Sequence, residues 1–284
     1  MTFAVSLIER VIEEKADGDP DLAELIRNDL AKEIGKNILN IKPGSDDAAK
    51  LKINLMEKNM WSQYMEVGLG PDAEVFTKAQ IMSSVGHLDK IGIHPMSSWN
   101  NPEPEIVLAV NSKGKILGVT LGNDVNLRDV EGRSALLLGR AKDNNGSCSI
   151  GPFIRVFDEN FDINNVKQAV VSLSIDGSDS YHLKGQSQMT KISREPEDLV
   201  NQVINSHHQY PDGLMLFLGT MFTPIDDRDH AGHGFTHKVG DVVKISSPEI
   251  GTLINIVDHT NNIPPWGFGV YDLMKNLCSR GLLV

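Results

Sequence analysis

Of the charged residues between Asn100 and Pro152, the carboxylates Glu103, Glu105 and Asp124 and the lysine Lys142 stand beside apolar, glycine-rich or amide-rich runs. Glu103 and Glu105 occur in Asn100-Asn101-Pro102-Glu103-Pro104-Glu105, directly before the apolar stretch 106–110. Residues two apart on an extended strand project to the same side, so both carboxylates are expected to face one place. A turn at Lys113-Gly114 and a second apolar stretch, 116–121, then deliver Asp124 in Gly122-Asn123-Asp124-Val125. Lys142 follows in Arg140-Ala141-Lys142-Asp143, ahead of Gly151-Pro152. Three hard oxygen donors, with no thiolate and no clustered histidine among them, suit Mg²⁺ or Mn²⁺ better than Zn²⁺. An isolated Glu-x-Glu at a strand edge is ordinarily solvated charge. Here an Asn-rich approach, prolines that fix the backbone, a hairpin and a further aspartate converge, and the pattern is read as a metal site.

The elements that must carry these groups change character along the chain. Residues 5–36 read as helix, with Leu7, Ile8, Val11 and Ile12 at helical spacing, a break at Gly18-Asp19-Pro20, and Leu22, Leu25, Ile26, Leu30 and Ile34 resuming the pattern. A second helix is expected at 48–58. From Val67 onward, short β-rich runs lie between Gly, Pro and Asn clusters, at 74–78, 105–110, 116–122, 152–157, 168–175, 214–219, 242–246 and 251–257. Helices are expected to interrupt them at 132–139, 195–205 and 268–280. Many short strands with few long helices predict a mainly β architecture with flanking helices, α+β and chiefly antiparallel. The expected division is a helical N-terminal segment, 1–60, packing on a metal-dependent catalytic β domain, 61–284.

The 284 residues are enough for one large domain or a domain with an appendage, and the net charge of −11 argues against nucleic acid or an anionic membrane as partner. No apolar run reaches the roughly 18 residues that a spanning helix needs. The start, Met1-Thr2-Phe3-Ala4-Val5, lacks the basic flank and small-residue cleavage site of a signal peptide. Cys148 and Cys278 have no CxxC spacing, which fits a reducing, cytoplasmic setting. Cys148 is read as a small buried residue rather than a nucleophile.

Glu103-Pro104-Glu105, Gly122-Asn123-Asp124-Val125 with Arg128-Asp129, and Lys142 with Gly151-Pro152 resemble the core motifs of the fumarylacetoacetate hydrolase superfamily. Val75-Phe76-Thr77-Lys78, Leu218-Gly219-Thr220, Gly240-Asp241-Val242-Val243 and Ile250-Gly251-Thr252-Leu253-Ile254-Asn255 resemble further family segments, so the likeness covers about residues 60 to 260. The resemblance implies a mixed β-roll, a divalent metal on Glu103, Glu105 and Asp124, and Lys142 beside a bound 2-oxo acid. It also implies that Thr220 faces substrate and that the chain forms a homodimer. The beginning of the chain resembles members lacking a small N-terminal domain.

Other polar groups bear on the reaction. Glu74 is similar in placement to an acid–base carboxylate of the family's dehydratase branch; the competing reading is an exposed strand-start glutamate. His94, ahead of the polar Ser97-Ser98-Trp99-Asn100-Asn101, either lines the pocket or holds the loop together. Ser6 and Arg10 sit one turn apart on the first expected helix, and an arginine fork suits the carboxylate of a 2-oxo acid; the competing reading is a surface arginine paired with Glu13 or Glu14. His207-His208 and His230-x-x-His233-x-x-x-His237 lack the helical pattern of a second metal site. Hydrolases of the family resemble one another in a helix histidine that activates water, and Ser6 stands at that place here. The stretch 66–101, with Ser6 and Arg10, is similar to 2-keto-3-deoxy-pentonate (arabinonate or xylonate) dehydratases. The expected activity is therefore Mg²⁺-dependent dehydration of such a sugar acid to 2,5-dioxopentanoate. The alternatives are hydrolysis of a C–C bond in an acylpyruvate or diketo sugar acid, and a catalytically silent metal-binding module.

Overall fold

A computed structural model describes residue 15 and residues 20–34, 41–220, 222, 224, 226–230 and 234–283. The described chain forms two compact units. One contains the residues up to Val75 together with Lys191–Tyr210, and the other contains Phe76–Thr190 with the chain from Pro211 onward. The sequence placed the division at 60/61. It falls later because 67–73 is bound by a segment distant in sequence. Arg194 donates to the carbonyls of Val67, Gly70, Pro71 and Asp72 at 2.8–3.2 Å, and Gln202 accepts from the Ala73 amide at 2.7 Å.

The first unit is helical: α1 (Pro20–Ile34), α2 (Asp46–Glu57), α3 (Gln63–Leu69) and, after the excursion through the other unit, α7 (Pro196–Val203). Ser45 caps α2 by accepting from the Ala48 amide, and Ser62 caps α3 by accepting from the Met65 amide. Leu30, Leu51, Leu55, Met65 and Leu69 are almost wholly buried together. Burial of each such side chain contributes about 1.5–3 kcal/mol.

The second unit holds the strands: β1 (Lys90–Ile93), β2 (Asn100–Asn101), β3 (Pro104–Val110), β4 (Ile116–Asp124), β5 (Asn126–Leu127), β6 (Cys148–Val156), β7 (Val170–Asp176), β8 (His182–Gln188), β9 (Leu214–Phe217), β10 (Val242–Ser247) and β11 (Gly251–His259). They form a five-stranded sheet, β1-β11-β10-β7-β8, a four-stranded sheet, β6-β4-β3-β9, and the small pair β2-β5. Pairing is antiparallel except between β1 and β11. The helices are α4 (Arg128–Glu131), α5 (Leu138–Lys142), α6 (Ile163–Gln168) and α8 (Val270–Ser279). These mixed sheets with flanking helices bear out the expected fold class.

Three local expectations need correction. Segment 74–78 belongs to no strand. The helix expected at 132–139 is broken: α4 stops at Gly132, a 3-10 turn covers Ala135–Leu137, and Ser134 caps that turn before α5. β1 and β8 were not foreseen. β1 is only 4 residues long, and β8 alternates polar and small residues rather than apolar ones.

Two arrangements in this unit hold the chain around Glu103. In the β3–β4 hairpin, the Asn111 side chain accepts from the amides of Lys113 and Lys115 at 2.9 and 3.0 Å, and the register sets Glu105 opposite Gly122. Asn100 is tied to the 236–237 chain: its amide donates to Thr236 Oγ1 at 3.2 Å, and its side-chain oxygen accepts from the His237 amide at 3.3 Å. His237 and Arg228 are in turn anchored on the buried Asp241.

Candidate active site

β3 and β4 deliver the three carboxylates to one point. Glu105 and Asp124 sit on adjacent antiparallel strands, and Glu103 lies just before β3, its carbonyl accepting from the Asp124 amide at 3.0 Å. One carboxylate oxygen from each of Glu103, Glu105 and Asp124 falls within 4.8 Å of the others. Glu105 and Asp124 are buried, and the side chain of Glu103 retains 13% exposure. The Gly219 amide donates to Glu105 Oε2 at 2.7 Å. Gly219 has φ +85, a conformation that costs glycine little and strains other residues, so this donor depends on the glycine.

Lys142, at the end of α5, is 3% exposed and reaches into the carboxylates. Its ammonium is 2.5 Å from Glu103 Oε2 and 3.3 Å from Asp124 Oδ2. Lys78 approaches Asp124 from the other side, with Nζ 3.0 Å from Oδ1. Glu131 on α4 is the nearby fourth carboxylate and accepts from Asn126 Nδ2 at 2.5 Å. Of these groups, Lys78 and Glu131 were not singled out from sequence. Lys78 stood in a quoted motif, but on a strand that does not form. Glu131 follows the flagged Arg128-Asp129 pair within a helix of only 4 residues.

The electrostatics of the cluster are those of carboxylates crowded together in a buried place. Burial raises Glu103 to about 7, with Lys142 opposing and Asp124 and Glu131 adding to the rise. Burial, then Asp124 and Glu103, lift Glu105 well above the ordinary carboxylate range. Burial works against the Lys142 ammonium, yet Asp124, Glu103 and Glu131 outweigh it, so its pKa is raised and it is a cation at neutral pH. A converging set of hard oxygens that repel one another in a buried place fits a hard divalent cation. Glu103, Glu105 and Asp124 would hold it.

The remaining residues fall as follows. Thr220 is buried next to Gly219, and its hydroxyl donates to the Phe222 carbonyl at 2.7 Å. His94 accepts from the Met96 amide through Nδ1 at 3.1 Å, and burial followed by Arg140 lowers its pKa. The loop reading of His94 therefore has a geometric basis. Glu74 is exposed and belongs to the first unit. Ser6 and Arg10 lie outside the described residues. Burial pushes the Cys148 thiol up to about 12, which leaves it inert as a nucleophile at neutral pH.

A family profile described as "Fumarylacetoacetate (FAA) hydrolase C-terminal" matches residues 56–258. A 2-dehydro-3-deoxy-D-arabinonate dehydratase of Saccharolobus solfataricus is 34% identical over 190 residues, covering 67% of this chain and 60% of that one. A probable 2-keto-3-deoxyxylonate dehydratase of Haloferax volcanii is 31% identical over 201 residues, covering 71% and 65%. A solved structure of 2-keto-3-deoxy-D-arabinonate dehydratase complexed with magnesium and 2,5-dioxopentanoate is 33% identical with TM-score 0.62, covering 70% of this chain and 66% of that one. The chain thus spans less than two thirds of the length of each of these relatives.

Proposed function

The chain belongs to the fumarylacetoacetate hydrolase family, and from that premise we propose that it is a hydro-lyase dehydrating a 2-keto-3-deoxy-pentonate (arabinonate or xylonate) to 2,5-dioxopentanoate with Mg²⁺ or Mn²⁺. The observation that carries the reading is the buried carboxylate set with the Lys142 ammonium inserted between Glu103 and Asp124 at 2.5 and 3.3 Å. Its support from relatives is that the similar proteins are pentonate dehydratases, one of them solved with magnesium and 2,5-dioxopentanoate.

When bound on Glu103, Glu105 and Asp124, the cation supplies Lewis acidity that polarises the 2-oxo group and acidifies C3. The chain supplies the rest. The site has the three ligand carboxylates and the nearby Glu131 against the ammoniums of Lys142 and Lys78, so one divalent charge offsets the remaining negative balance before an anionic 2-oxo acid arrives. Lys142 stabilises negative charge developing on the substrate oxygen. Dehydration removes one C3 proton and expels the C4 hydroxyl as water; the resulting double bond tautomerises to place the aldehyde at C5. Glu74 is our choice for protonating the departing hydroxyl, on residue type and motif position. Ser6, Arg10, His94 and Thr220 are assigned to substrate binding on the same basis. A homodimer in the cytoplasm completes the reading. Among the described residues no helix is long and apolar enough to cross a membrane.

The test is a panel of 2-oxo acids assayed with and without Mg²⁺ on the unaltered protein and on Lys142→Met. The pentonates should be consumed only with the cation and only weakly by the variant. Consumption that persists after chelation would defeat the proposal.

A further inference from the structure

Lys78 is 8% exposed and has more oxygen partners than charge balance requires. Its ammonium lies 3.0 Å from Asp124 Oδ1 and donates to the Val125 carbonyl at 3.2 Å, to Ser147 Oγ at 3.3 Å and to the Lys142 carbonyl. These partners come from the end of β4, the end of α5 and the turn before β6. Those are the segments that carry Asp124 and Lys142. The Asp124 carboxylate therefore has an ammonium on each side: Oδ1 pairs by charge with Lys78 without a hydrogen bond, and Oδ2 accepts from Lys142 at 3.3 Å. The same Lys78 ammonium also holds the Lys142 backbone whose side chain makes the second contact.

We propose that Lys78 is a positioning residue for cation binding: it fixes the rotation of the Asp124 carboxylate and the place of the Lys142 backbone, so that Asp124 is presented to the cation already oriented. The proposal rests on reading Glu103, Glu105 and Asp124 as metal ligands. Groups that orient ligands commonly change metal affinity by about 10–100-fold when removed. Two effects of losing Lys78 oppose one another. Removing a positive charge beside Asp124 favours a divalent cation by Coulomb attraction. Releasing the carboxylate to rotate disfavours it, because binding must then order it. Positioning predicts that the second effect wins.

Titration of the full chain with Mg²⁺ alone, followed by calorimetry, reads the sign directly. Lys78→Met and Lys78→Gln should each bind Mg²⁺ about 10–100-fold more weakly than the unaltered protein. Ser147→Ala is the control. It loses bonds to the Lys142 carbonyl at 2.7 Å, to Asn144 at 2.8 and 2.9 Å and from the Lys78 ammonium at 3.3 Å, which loosens the same turn while leaving the Lys78–Asp124 pair in place. It should lower the unfolding temperature while leaving Mg²⁺ affinity close to normal. Equal or tighter binding by folded Lys78 variants would overturn the proposal. So would loss of native near-ultraviolet circular dichroism in both variants, since Lys78 would then be a folding residue. An unaltered protein that binds no Mg²⁺ would instead overturn the metal reading on which the proposal stands.

Discussion

Glu103 carries the pH behaviour of the site. In the metal-free chain it keeps its proton up to about 7, against 4.5 for an ordinary glutamate, chiefly because it is buried. The folded form therefore binds more protons than the unfolded chain between those values, and stability falls as pH rises through that window. A cation needs the carboxylate ionised and competes with that proton. Mg²⁺ affinity should thus fall as pH drops below about 7, and binding there should release a proton. Calorimetry in buffers of different ionisation enthalpy measures both, and an affinity constant from about pH 5.5 to 7.5 would contradict the assignment. Asp124→Asn should weaken Mg²⁺ binding sharply with the fold intact, since the change keeps shape and removes one ligand charge. Glu74→Gln should lower kcat by about 10²–10⁴, as expected for a lost acid–base group, with Mg²⁺ affinity little changed. A Glu74 variant with normal kcat would remove that residue from the mechanism.

The β3–β4 hairpin sets how far the carboxylates can move. Gly122 pairs with Glu105 and precedes Asp124 by two residues, and a Cβ there would meet the Phe217 ring at 2.3 Å and Val107 Cγ2 at 2.6 Å. Gly122→Ala should therefore push Phe217 aside and cost about 1–3 kcal/mol, read as a lower unfolding temperature, with weakened Mg²⁺ binding because Glu105 and Asp124 ride on these strands. Unchanged stability would mean that the ring yields freely. This hairpin was legible in sequence because two apolar runs flank a turn and side-chain alternation follows from the strand period. Lys142 was legible because its type and motif both suited the site. Lys78 was not, since its role depends on an irregular segment whose backbone follows no period. Nor was the return of Lys191–Tyr210 to the first unit, which rests on Arg194 meeting four carbonyls far away in sequence. Long-range polar anchoring of that kind leaves no local signal.

The whole chain is proposed to act as a homodimer. β6 is an edge strand of its sheet, and Phe153, Ile154 and Val156 on it are largely exposed, an arrangement that proteins ordinarily cover. Light scattering at micromolar concentration should give twice the 31.2 kDa chain mass, and a species of 31.2 kDa alone would contradict the dimer. The proposed reaction removes water and keeps every carbon. Nuclear magnetic resonance of a 2-keto-3-deoxy-pentonate incubated with the protein and Mg²⁺ tests it most directly. Dehydration should make the C4 carbinol signal disappear and the C5 aldehyde of 2,5-dioxopentanoate grow, with all five carbons retained in one product. A pentonate left untouched while an acylpyruvate is split into two fragments would contradict it.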